Sequence, residues 1–331
     1  MRVLVTGASG FIGLPVVQLL EQQGHTVLAF SRNISKKPAT SFVNWLKADL
    51  SSPETYQGAI QTFAPEVVLH LAWQGIPDFS FETSRNNLNH SLDLLSFVIG
   101  LDSCRKILVS GSCFEFNQLN GECLESDKGT PKDNFTWAKH SLRLWLEVEC
   151  KKKDIKLGWM RIFYVYGPRQ RSGSLIPSIL NNLQNGKLPH IRTPKNSNDF
   201  VFIDDVIEAF SNAISMQYPS GIYNLGSGVS TSILEVCRIA EKIVTGKDIL
   251  SQRLMKEVVD SSKSIDFWAN YHRAEKHLNW QPATNIEEGI KKVLDDNGLE
   301  CTGLSVIPDE EHNPISANEK NRKKLFKVLA K

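Results

Sequence analysis

The sequence predicts an α/β fold: a doubly wound parallel sheet with helices on both faces, followed by a smaller C-terminal lobe. Short apolar runs of strand length alternate with amphipathic helical patterns through the first half of the chain. A glycine-rich turn follows the first run and opens the first helical pattern. Beyond residue 166 the elements become shorter, and Pro177, Pro189 and Pro194 interrupt them. We therefore expect two unequal lobes.

The spacing of apolar residues defines the individual elements. Runs of strand length fall at residues 2–6, 26–30, 67–71, 106–110 and 156–162, with further strand-like runs at 200–203 and 222–225. Helical spacing covers residues 11–23, 86–99 and 137–150, and it returns at 204–215, 231–244 and 286–295. Because strands and helices alternate, consecutive strands should run parallel, with the helices crossing over the sheet.

The composition is that of a globular protein of near-neutral charge. Of its 331 residues, 41% are hydrophobic and 22% are charged, which supplies a sizeable core and excludes a disordered chain. Lys and Arg total 38 against 36 for Asp and Glu, so the formal net charge is +2. Nucleic-acid binding requires a basic surface, so we expect no nucleic-acid partner.

The cysteines predict a reducing compartment. No C-x-x-C pair and no zinc-like spacing is present, so we expect no metal site and a cytoplasmic protein. No apolar stretch approaches the roughly 20 residues that cross a bilayer, and no signal peptide is visible, so we expect no membrane partner. The six cysteines are Cys104, Cys113, Cys123, Cys150, Cys237 and Cys301.

The glycine-rich turn predicts a dinucleotide site. Gly7, Gly10 and Gly13 stand between a strand and a helix, where glycine permits a tight turn, close approach to a pyrophosphate and close helix–strand packing. The helix N-terminus then presents free N–H groups to the phosphates. The remaining residues of the predicted phosphate loop are Ser9, Phe11 and Ile12.

The end of the second strand favours NADP(H) over NAD(H). An NAD site usually carries an acidic residue there, about 20 residues after the glycines, for the ribose 2′-hydroxyl. This chain has Ser31 and Arg32 instead, which can bind a 2′-phosphate. The alternative is that Arg32 is a solvated loop residue and the site takes NAD.

Four further residues are expected along the cofactor. Asp49 and Leu50 follow a third apolar run, which lies between the runs at 26–30 and 67–71, and they can border the adenine there. Leu71 and Ala72 end the fourth strand, beside the expected nicotinamide ribose. His70, which sits between two leucines, is interpreted as a core histidine with satisfied hydrogen bonds rather than as a catalytic group.

An ordered series of motifs resembles the extended short-chain dehydrogenase/reductases of the nucleotide-sugar epimerase/dehydratase type, over about residues 1–296. The series comprises the T-G-x-x-G-x-x-G loop, His70-Leu71-Ala72, Asn86, Ser110-Gly111-Ser112, Lys139, Tyr166-Gly167-Pro168, the segment 199–206 and Tyr223-Asn224-Leu225-Gly226. The resemblance implies a Rossmann domain (residues 1–165) that binds the cofactor. It also implies an interleaved lobe (residues 166–296) that binds a nucleotide-diphosphate sugar, and a role in surface-polysaccharide or glycoside biosynthesis.

The resemblance also implies catalysis by a serine, a tyrosine and a lysine, and here the chain departs from the pattern. Ser112 matches the serine and Lys139 the lysine, which also binds the cofactor ribose. The tyrosine belongs four residues before the lysine, where this chain has Phe135. Phenylalanine has no proton to exchange, so the usual acid/base group is absent.

Three interpretations follow from Phe135. In the first, a reductase takes its proton from another group: Cys113, Glu115, Thr136, Tyr164, Tyr166 or a water held by Ser112 and Lys139. In the second, the enzyme is an epimerase with a different acid/base; ordinary 4,6-dehydration is disfavoured, because Cys113 and Phe114 replace the acidic pair of the dehydratases. In the third, the protein binds a dinucleotide without turnover. We favour the reductase, acting on a keto-deoxysugar.

The substrate residues are expected on both sides of the cleft. A nucleotide diphosphate needs cations, and Arg169, Arg171 and Arg192 follow the Tyr-Gly-Pro turn. Trp73 is a candidate wall for the sugar, together with Phe135 and Tyr164. The resemblance allows a homodimer through two long helices, and residues 297–331 are expected to form a charged tail with no assigned role.

Overall fold

Seven parallel strands form the central sheet of the chain. The computed structural model describes residues 1–35, 40–116, 119–127, 129–249, 252 and 264–296. In the order of the sheet the strands are β10 (Gly221–Leu225), β7 (Lys156–Ile162), β5 (Lys106–Ser112), β4 (Val67–His70), β1 (Arg2–Thr6), β2 (Thr26–Ser31) and β3 (Val43–Lys47). The chain starts in the middle of the sheet and winds outward in both directions, so the predicted doubly wound α/β fold is confirmed.

Nine α-helices cover the sheet and build the C-terminal lobe within the described residues. They are α1 (Gly13–Gln22), α2 (Gln57–Phe63), α3 (Phe81–Ile99), α4 (Asn134–Lys152), α5 (Leu175–Gln184), α6 (Ile203–Ala213), α7 (Ile233–Thr245), α8 (His272–Leu278) and α9 (Ile286–Asp296). None of these helices is long and apolar enough to cross a bilayer.

Two apolar layers hold the helices against the sheet. Alternate residues of β1 face opposite layers: Val3 and Val5 belong to the cluster that includes α1, α5, α6 and α7. Leu4 belongs to the cluster under α3 and α4, with Leu94 and Leu142. All three strand residues are fully buried, as expected for a parallel sheet covered on both faces.

A smaller sheet and a third apolar cluster tie the two parts of the chain together. Its strands are β11 (Ser230–Ser232), β9 (Ser197–Phe202), β12 (Asp266–Ala269) and β6 (Asn120–Cys123), and β8 (Tyr164–Tyr166) pairs with β9. Strand β6 comes from the first half of the chain, whereas β10 comes from the second half and completes the central sheet. The two lobes therefore exchange strands.

The structure corrects two predicted helix starts. Helix α1 begins at Gly13 rather than at residue 11, because the glycine loop occupies the preceding positions. Helix α3 begins at Phe81 rather than at residue 86, because the Ser80 hydroxyl accepts a hydrogen bond from the Thr83 backbone and caps the helix. The predicted tail, residues 297–331, and Cys301 lie outside the described residues.

Candidate active site

The glycine loop closes on itself and on the end of β4. Gly7 has a left-handed backbone (φ +66°), and a Cβ there would lie 2.8 Å from the Ala72 nitrogen. A Cβ on Gly13 would overlap the Gly7 carbonyl oxygen, and one on Gly10 would lie 3.1 Å from the same atom. The loop therefore leaves no room for side chains where a phosphate group must approach the backbone.

At the start of α1 the Leu14 N–H donates to the Gly10 carbonyl oxygen (3.1 Å) and Pro15 has no N–H, so the N–H groups that can meet an anion are those that precede Leu14. Ile12 occupies the N-cap position, and its side chain forms no capping hydrogen bond. Phe11 and Ile12 pack against the core beneath the loop, which fixes the direction of the helix. Free N–H groups at a positive helix end are what a pyrophosphate requires, so these residues fit a bound dinucleotide.

The side chains of Ser9 and Ser31 form a pair at the end of β2. Dinucleotide sites of this fold recognise the 2′-hydroxyl or the 2′-phosphate of the adenosine ribose at this position. The buried Ser31 hydroxyl is 2.9 Å from the Ser9 hydroxyl and 2.8 Å from the Asn33 carbonyl oxygen. Arg32 is exposed at this edge. The strand end thus offers hydroxyls and a cation, and no carboxylate.

The turn after β3 holds the next predicted cofactor residues. The Asp49 carboxylate accepts hydrogen bonds from the backbone and hydroxyl of Ser51, at 2.9 and 2.8 Å. These bonds lower the pKa of Asp49, with a smaller contribution from Arg32. Leu50 is half-buried and packs on the core beneath α3 and α4.

His70 is a core histidine, as predicted. Its Nδ1 lies 2.9 Å from the Thr6 hydroxyl, and its Nε2 lies 2.9 Å from the Ser91 hydroxyl. Burial lowers its pKa to about 3, with a smaller contribution from Lys139, so the ring is neutral. Thr6 also accepts a hydrogen bond from the Ala72 backbone (3.3 Å), which fixes the end of β4, including Leu71, beside the glycine loop.

Lys139 is buried at the centre of the site. Its ammonium group donates a hydrogen bond to the Ser110 carbonyl oxygen (2.7 Å) and lies 4.1 Å from the centre of the Trp73 ring. Burial lowers its pKa to about 8, although the Glu115 carboxylate acts in the opposite direction. The pKa of Lys139 is therefore much closer to neutral pH than that of a surface lysine, so the ammonium releases a proton more readily.

Phe135 lies one helical turn before Lys139, inside a set of aromatic rings. Its ring centre is 5.3 Å from that of Trp73 and 4.9 Å from that of Phe79. We call this set the aromatic wall; its members are Trp73, Phe79, Phe114, Phe135 and Tyr164. Phe135 is buried, whereas the other four rings are half-buried. Four of the five rings therefore keep part of their surface accessible.

Ser112 ends β5 and starts the turn that follows. Its hydroxyl oxygen accepts a hydrogen bond from the Phe114 backbone (3.2 Å). Accepting that bond leaves the hydroxyl proton free to be donated. The neighbouring strand pairs Ser112 with Ile162, so the serine lies at the carboxyl edge of the central sheet, where ligands of such folds bind.

The structure corrects the assignment of Glu115 as a catalytic candidate. Its carboxylate accepts hydrogen bonds from the Ser112 backbone (2.8 Å) and from the Trp159 indole (3.0 Å). It also pairs with the Arg161 guanidinium at 3.4 Å, and both side chains are 1% exposed. A carboxylate engaged in this way is a buried structural group and not an available acid.

The structure likewise corrects Cys113. The thiol is buried in an apolar cluster with Phe116, Phe163 and Phe267. Burial raises its pKa well above that of a free thiol, so it stays protonated and inert. Five cysteines are resolved in the described part of the chain, and all five are free and buried.

Two other candidate proton donors already donate hydrogen bonds within the protein. The Thr136 hydroxyl donates to Asp133 and belongs to the capping box of α4. The Tyr166 hydroxyl donates to the Asn285 carbonyl oxygen (3.4 Å), just before α9. Tyr164, by contrast, is half-buried, and burial raises its pKa.

The three arginines predicted for the substrate differ in their surroundings. Arg171 donates to the Ile76 carbonyl oxygen (2.6 Å) and to the Ser174 hydroxyl (3.2 Å), so it links the C-terminal lobe to the loop after β4. Arg169 is exposed, with a left-handed backbone (φ +63°), and Arg192 is exposed as well. Arg171 thus positions a loop in the structure, while the other two guanidinium groups are accessible.

Sequence reasoning missed two residues that shape the site. Phe79 lies in a turn without a recognisable motif, although its ring lies between Phe135 and Phe114. Arg161 stands within the apolar run of β7, where an arginine is unusual. A charged residue inside a buried strand is the signal that could have indicated a buried partner, which the structure identifies as Glu115.

The fold and the phosphate loop define a short-chain dehydrogenase/reductase that binds a nicotinamide dinucleotide. Residues 3–226 match the model of the NAD dependent epimerase/dehydratase family. The chain belongs to this family, and it is an NAD(P)-dependent oxidoreductase of the nucleotide-sugar type. Within the described residues, no group of three His, Cys, Asp or Glu side chains is placed to hold a metal ion.

The similar proteins catalyse several different reactions. The chain is 25% identical to dTDP-D-glucose 4,6-dehydratase of Bos taurus, with 89% of this chain and 88% of that protein covered. It is 23% identical to dTDP-4-dehydro-6-deoxyglucose reductase of Escherichia coli, with 88% and 96% covered. The structure of UDP-glucose 4-epimerase from Thermotoga maritima, with UDP-glucose, superimposes with a TM-score of 0.78 at 25% identity, with 90% and 99% covered. The names of these three relatives cover a dehydratase, a reductase and an epimerase.

Proposed function

We propose that the protein is an NADP(H)-dependent reductase of a nucleotide-activated keto-deoxysugar. The observation that carries this proposal is the aromatic ring of Phe135 at the position of the family tyrosine. An epimerase must remove and return a proton at the sugar oxygen within one turnover, whereas a reductase needs only one proton delivered. Reduction therefore tolerates the loss of the phenol better. One similar protein is a reductase of a 4-keto-6-deoxysugar nucleotide.

The cofactor would be held by the chain's glycine loop and by Lys139. Gly7, Gly10 and Gly13 leave space for the pyrophosphate, and the N-terminus of α1 supplies N–H donors and a positive dipole. Lys139 is the residue that would bind the nicotinamide ribose. When bound, a reduced nicotinamide supplies the hydride.

NADP(H) is favoured by the end of β2. The Ser9 and Ser31 hydroxyls form a pair there, and Arg32 is exposed beside them. Hydroxyls and a guanidinium bind a 2′-phosphate through charge-assisted hydrogen bonds, whereas an adenosine ribose without the phosphate would be expected to meet a carboxylate.

The aromatic wall is suited to a sugar that lacks a hydroxyl. Trp73, Phe79, Phe114 and Tyr164 keep part of their ring surfaces accessible. A hydroxyl buried against such rings would lose its hydrogen bonds to water, while a methyl group would gain by leaving water. Ser112 would donate its free hydroxyl proton to the carbonyl oxygen that is reduced.

The diphosphate is expected to meet cations of the C-terminal lobe. Arg169 and Arg192 are exposed. Arg171 also has a positioning role, because it holds the loop that carries Trp73 through the Ile76 carbonyl. A nucleotide diphosphate bound here would place its sugar toward the loop and the wall.

Substrate screening tests the proposal. The purified protein is incubated with NADPH or NADH and with the 4-keto-6-deoxysugar derivatives of UDP, dTDP, GDP and CDP, and absorbance at 340 nm is followed. We expect NADPH consumption with at least one sugar and slower consumption of NADH. Interconversion of 4-hydroxy sugars without net consumption would identify an epimerase, and cofactor binding without turnover of any sugar would identify a binding protein.

A homodimer is part of the same proposal. Helices α3 and α4 pack against each other and keep large apolar residues exposed, including Phe81 at 55%, Leu144 at 46% and Val148 at 53%. Leu144 and Val148 are four residues apart and lie on one face of α4. Light scattering after gel filtration should give twice the chain mass, and Leu144→Glu with Val148→Glu should give the monomer.

A further inference from the structure

The position of Lys139 relative to Phe135 suggests a second role for the lysine. The two residues are four positions apart on α4, so their side chains leave the same face of the helix. Both side chains contact Trp73: the Phe135 ring at 5.3 Å and the Lys139 ammonium at 4.1 Å, measured to the ring centre. Lys139 is therefore the polar group next to the place from which the family tyrosine would act.

The other proton donors are excluded one by one. Glu115 is paired with Arg161, Cys113 is enclosed in an apolar cluster, and Thr136 belongs to the capping box of α4. These three groups are occupied by contacts within the described residues. Tyr166 is also engaged, because its hydroxyl donates to the Asn285 carbonyl oxygen, so the side chains that remain are Ser112, Lys139 and Tyr164.

Tyr164 makes no direct ring contact with Phe135, which occupies the position of the family tyrosine, among the ring contacts of the described residues. Its ring contacts Phe114 at 5.9 Å, Phe114 contacts Phe79 at 6.3 Å, and Phe79 contacts Phe135 at 4.9 Å, all between ring centres. The ring of Tyr164 is therefore connected to that of Phe135 only through two other rings of the aromatic wall, among the ring contacts of the described residues. Among the described residues, the hydroxyl of Ser112, the other remaining group, accepts a hydrogen bond from the Phe114 backbone and has no carboxylate or imidazole bonded to it.

We propose that the Lys139 ammonium itself delivers the proton to the sugar oxygen and that Trp73 is the positioning residue that holds it there. The proposal rests on the proposed reduction. Of the three N–H protons, one is bonded to the Ser110 carbonyl and the others remain for ligands. Trp73 covers the ammonium with its ring, where a cation–π contact keeps the group in place without accepting a proton.

The step balances as a general acid reduction. When bound, a reduced nicotinamide would supply the hydride for the new C–H bond and would be left oxidised, while the carbonyl π electrons move to the oxygen. The oxygen takes a proton from the Lys139 ammonium, which becomes a neutral amine. The Lys139 amine recovers its proton from solvent before the next turnover.

The surroundings favour this exchange. Burial lowers the pKa of Lys139 to about 8, which is near the pH at which an acid catalyst works best. The charged and titratable groups that face it are Glu115 from the turn after β5 and His70 from the end of β4. Glu115 shares its charge with Arg161, and His70 is neutral, so neither competes for the proton.

The first test needs neither substrate nor cofactor. The protein is labelled with ¹³C in its lysine side chains, and the Cε shift of Lys139, assigned with Lys139→Arg, is followed from pH 6 to pH 11. We expect a midpoint near 8, well below the value of about 10.4 of an unperturbed lysine side chain. A Lys139 that remains protonated above pH 10 would overturn the proposal.

The second test uses the active enzyme. Arginine keeps the positive charge of Lys139 but does not release a proton below about pH 12, so Lys139→Arg separates charge from proton delivery. We expect kcat to fall by 100-fold or more, in line with the usual contribution of a general acid, with NADPH affinity changed by less than about fivefold. A kcat within tenfold of the native value would show that only the charge matters.

The pH profile separates the remaining donor from Lys139. The native rate of reduction should fall above pH 8. Tyr164→Phe, which keeps its ring against Phe114, should show the same fall in rate, which we call the alkaline limb. If Tyr164 were the donor, Tyr164→Phe would remove the limb and Lys139→Arg would retain it. A native protein that reduces no sugar would refute the proposed function. The titration midpoint of Lys139 is measured in the free protein, so it tests the lysine independently of that result.

Discussion

The carboxylate of Glu115 and the guanidinium of Arg161 form an ion pair that is almost completely buried. The Arg161 Nε lies 3.4 Å from the Glu115 Oε2, and the Trp159 indole donates to the same carboxylate at 3.0 Å. Arg161 also donates to the backbone of Glu125 and Asp127, at 3.5 Å in each case. The pair connects the turn that carries Ser112 to the neighbouring strand β7, and it therefore fixes the catalytic edge of the sheet.

Glu115→Gln should destabilise the protein by about 3–5 kcal/mol, because it leaves a buried arginine without its counter-charge. Urea unfolding gives the free energy, and cofactor affinity is measured on the folded fraction. Glu287→Gln, which breaks an exposed pair with Lys291, is the matched control and should leave the urea midpoint nearly unchanged. A stable Glu115→Gln protein without activity would restore Glu115 as a catalytic acid.

Gly13→Ala should abolish tight cofactor binding. The added methyl group would overlap the Gly7 carbonyl oxygen and displace the phosphate loop from the start of α1. Isothermal titration with NADPH measures the loss, which we expect to exceed 100-fold. The control is Gly58→Ala on α2, where a Cβ meets nothing within 4 Å. That change should leave binding intact and stabilise the helix by about 0.5–1 kcal/mol.

Phe135→Tyr should not increase kcat. If Lys139 supplies the proton, the added phenol has no task, and burying its hydroxyl among Trp73 and Phe79 costs about 1–3 kcal/mol unless it finds a partner. Steady-state rates and thermal melting of the variant measure both effects. A large gain in rate would instead mean that the native site lacks an effective donor.

Arg32→Ala should weaken NADPH binding by tenfold or more and change NADH binding by less than about threefold. The reason is that the lost charge-assisted hydrogen bonds serve only the 2′-phosphate. Dissociation constants for both cofactors provide the comparison, with Arg238→Ala on the exposed side of α7 as the control. Equal losses for the two cofactors would refute the assignment of NADP(H).

His70 should make the protein less stable in acid. Its pKa is about 3 in the folded state and 6.5 ordinarily, so the unfolded chain binds more protons below pH 6.5. Stability is therefore complete above pH 6.5 and is lost as the pH falls toward 3, by about 2 kcal/mol at pH 5. His70→Gln should flatten this dependence in urea titrations at pH 5 and pH 8; an unchanged slope would contradict the interpretation.

The sheet and the phosphate loop were predictable because local chemistry determines them. Each of the three glycines lies where the backbone leaves no space for a side chain. The alternation of strand-length and helical apolar patterns predicts β1 and its neighbours without reference to distant residues. His70 was also predictable, since its flanking leucines indicate burial.

The aromatic wall and the role of Glu115 were not predictable, because they depend on pairs that are distant in the chain. Phe79 and Phe135 are 56 positions apart, and Glu115 and Arg161 are 46 positions apart. Glu115 stands between Phe114 and Phe116 in the sequence, and this alternation allows the carboxylate to lie on either side of the turn. Only the position of β7 decides that the carboxylate points inward.

The exchange of strands between the two lobes has a consequence for how the chain folds. A fragment that ends near residue 165 would lack β10, and the backbone of β7 would become an open edge that invites aggregation. During synthesis the central sheet cannot close until residue 225 has left the ribosome. The chain should therefore melt in a single calorimetric transition, and its two halves should be recovered in soluble form only when they are made together.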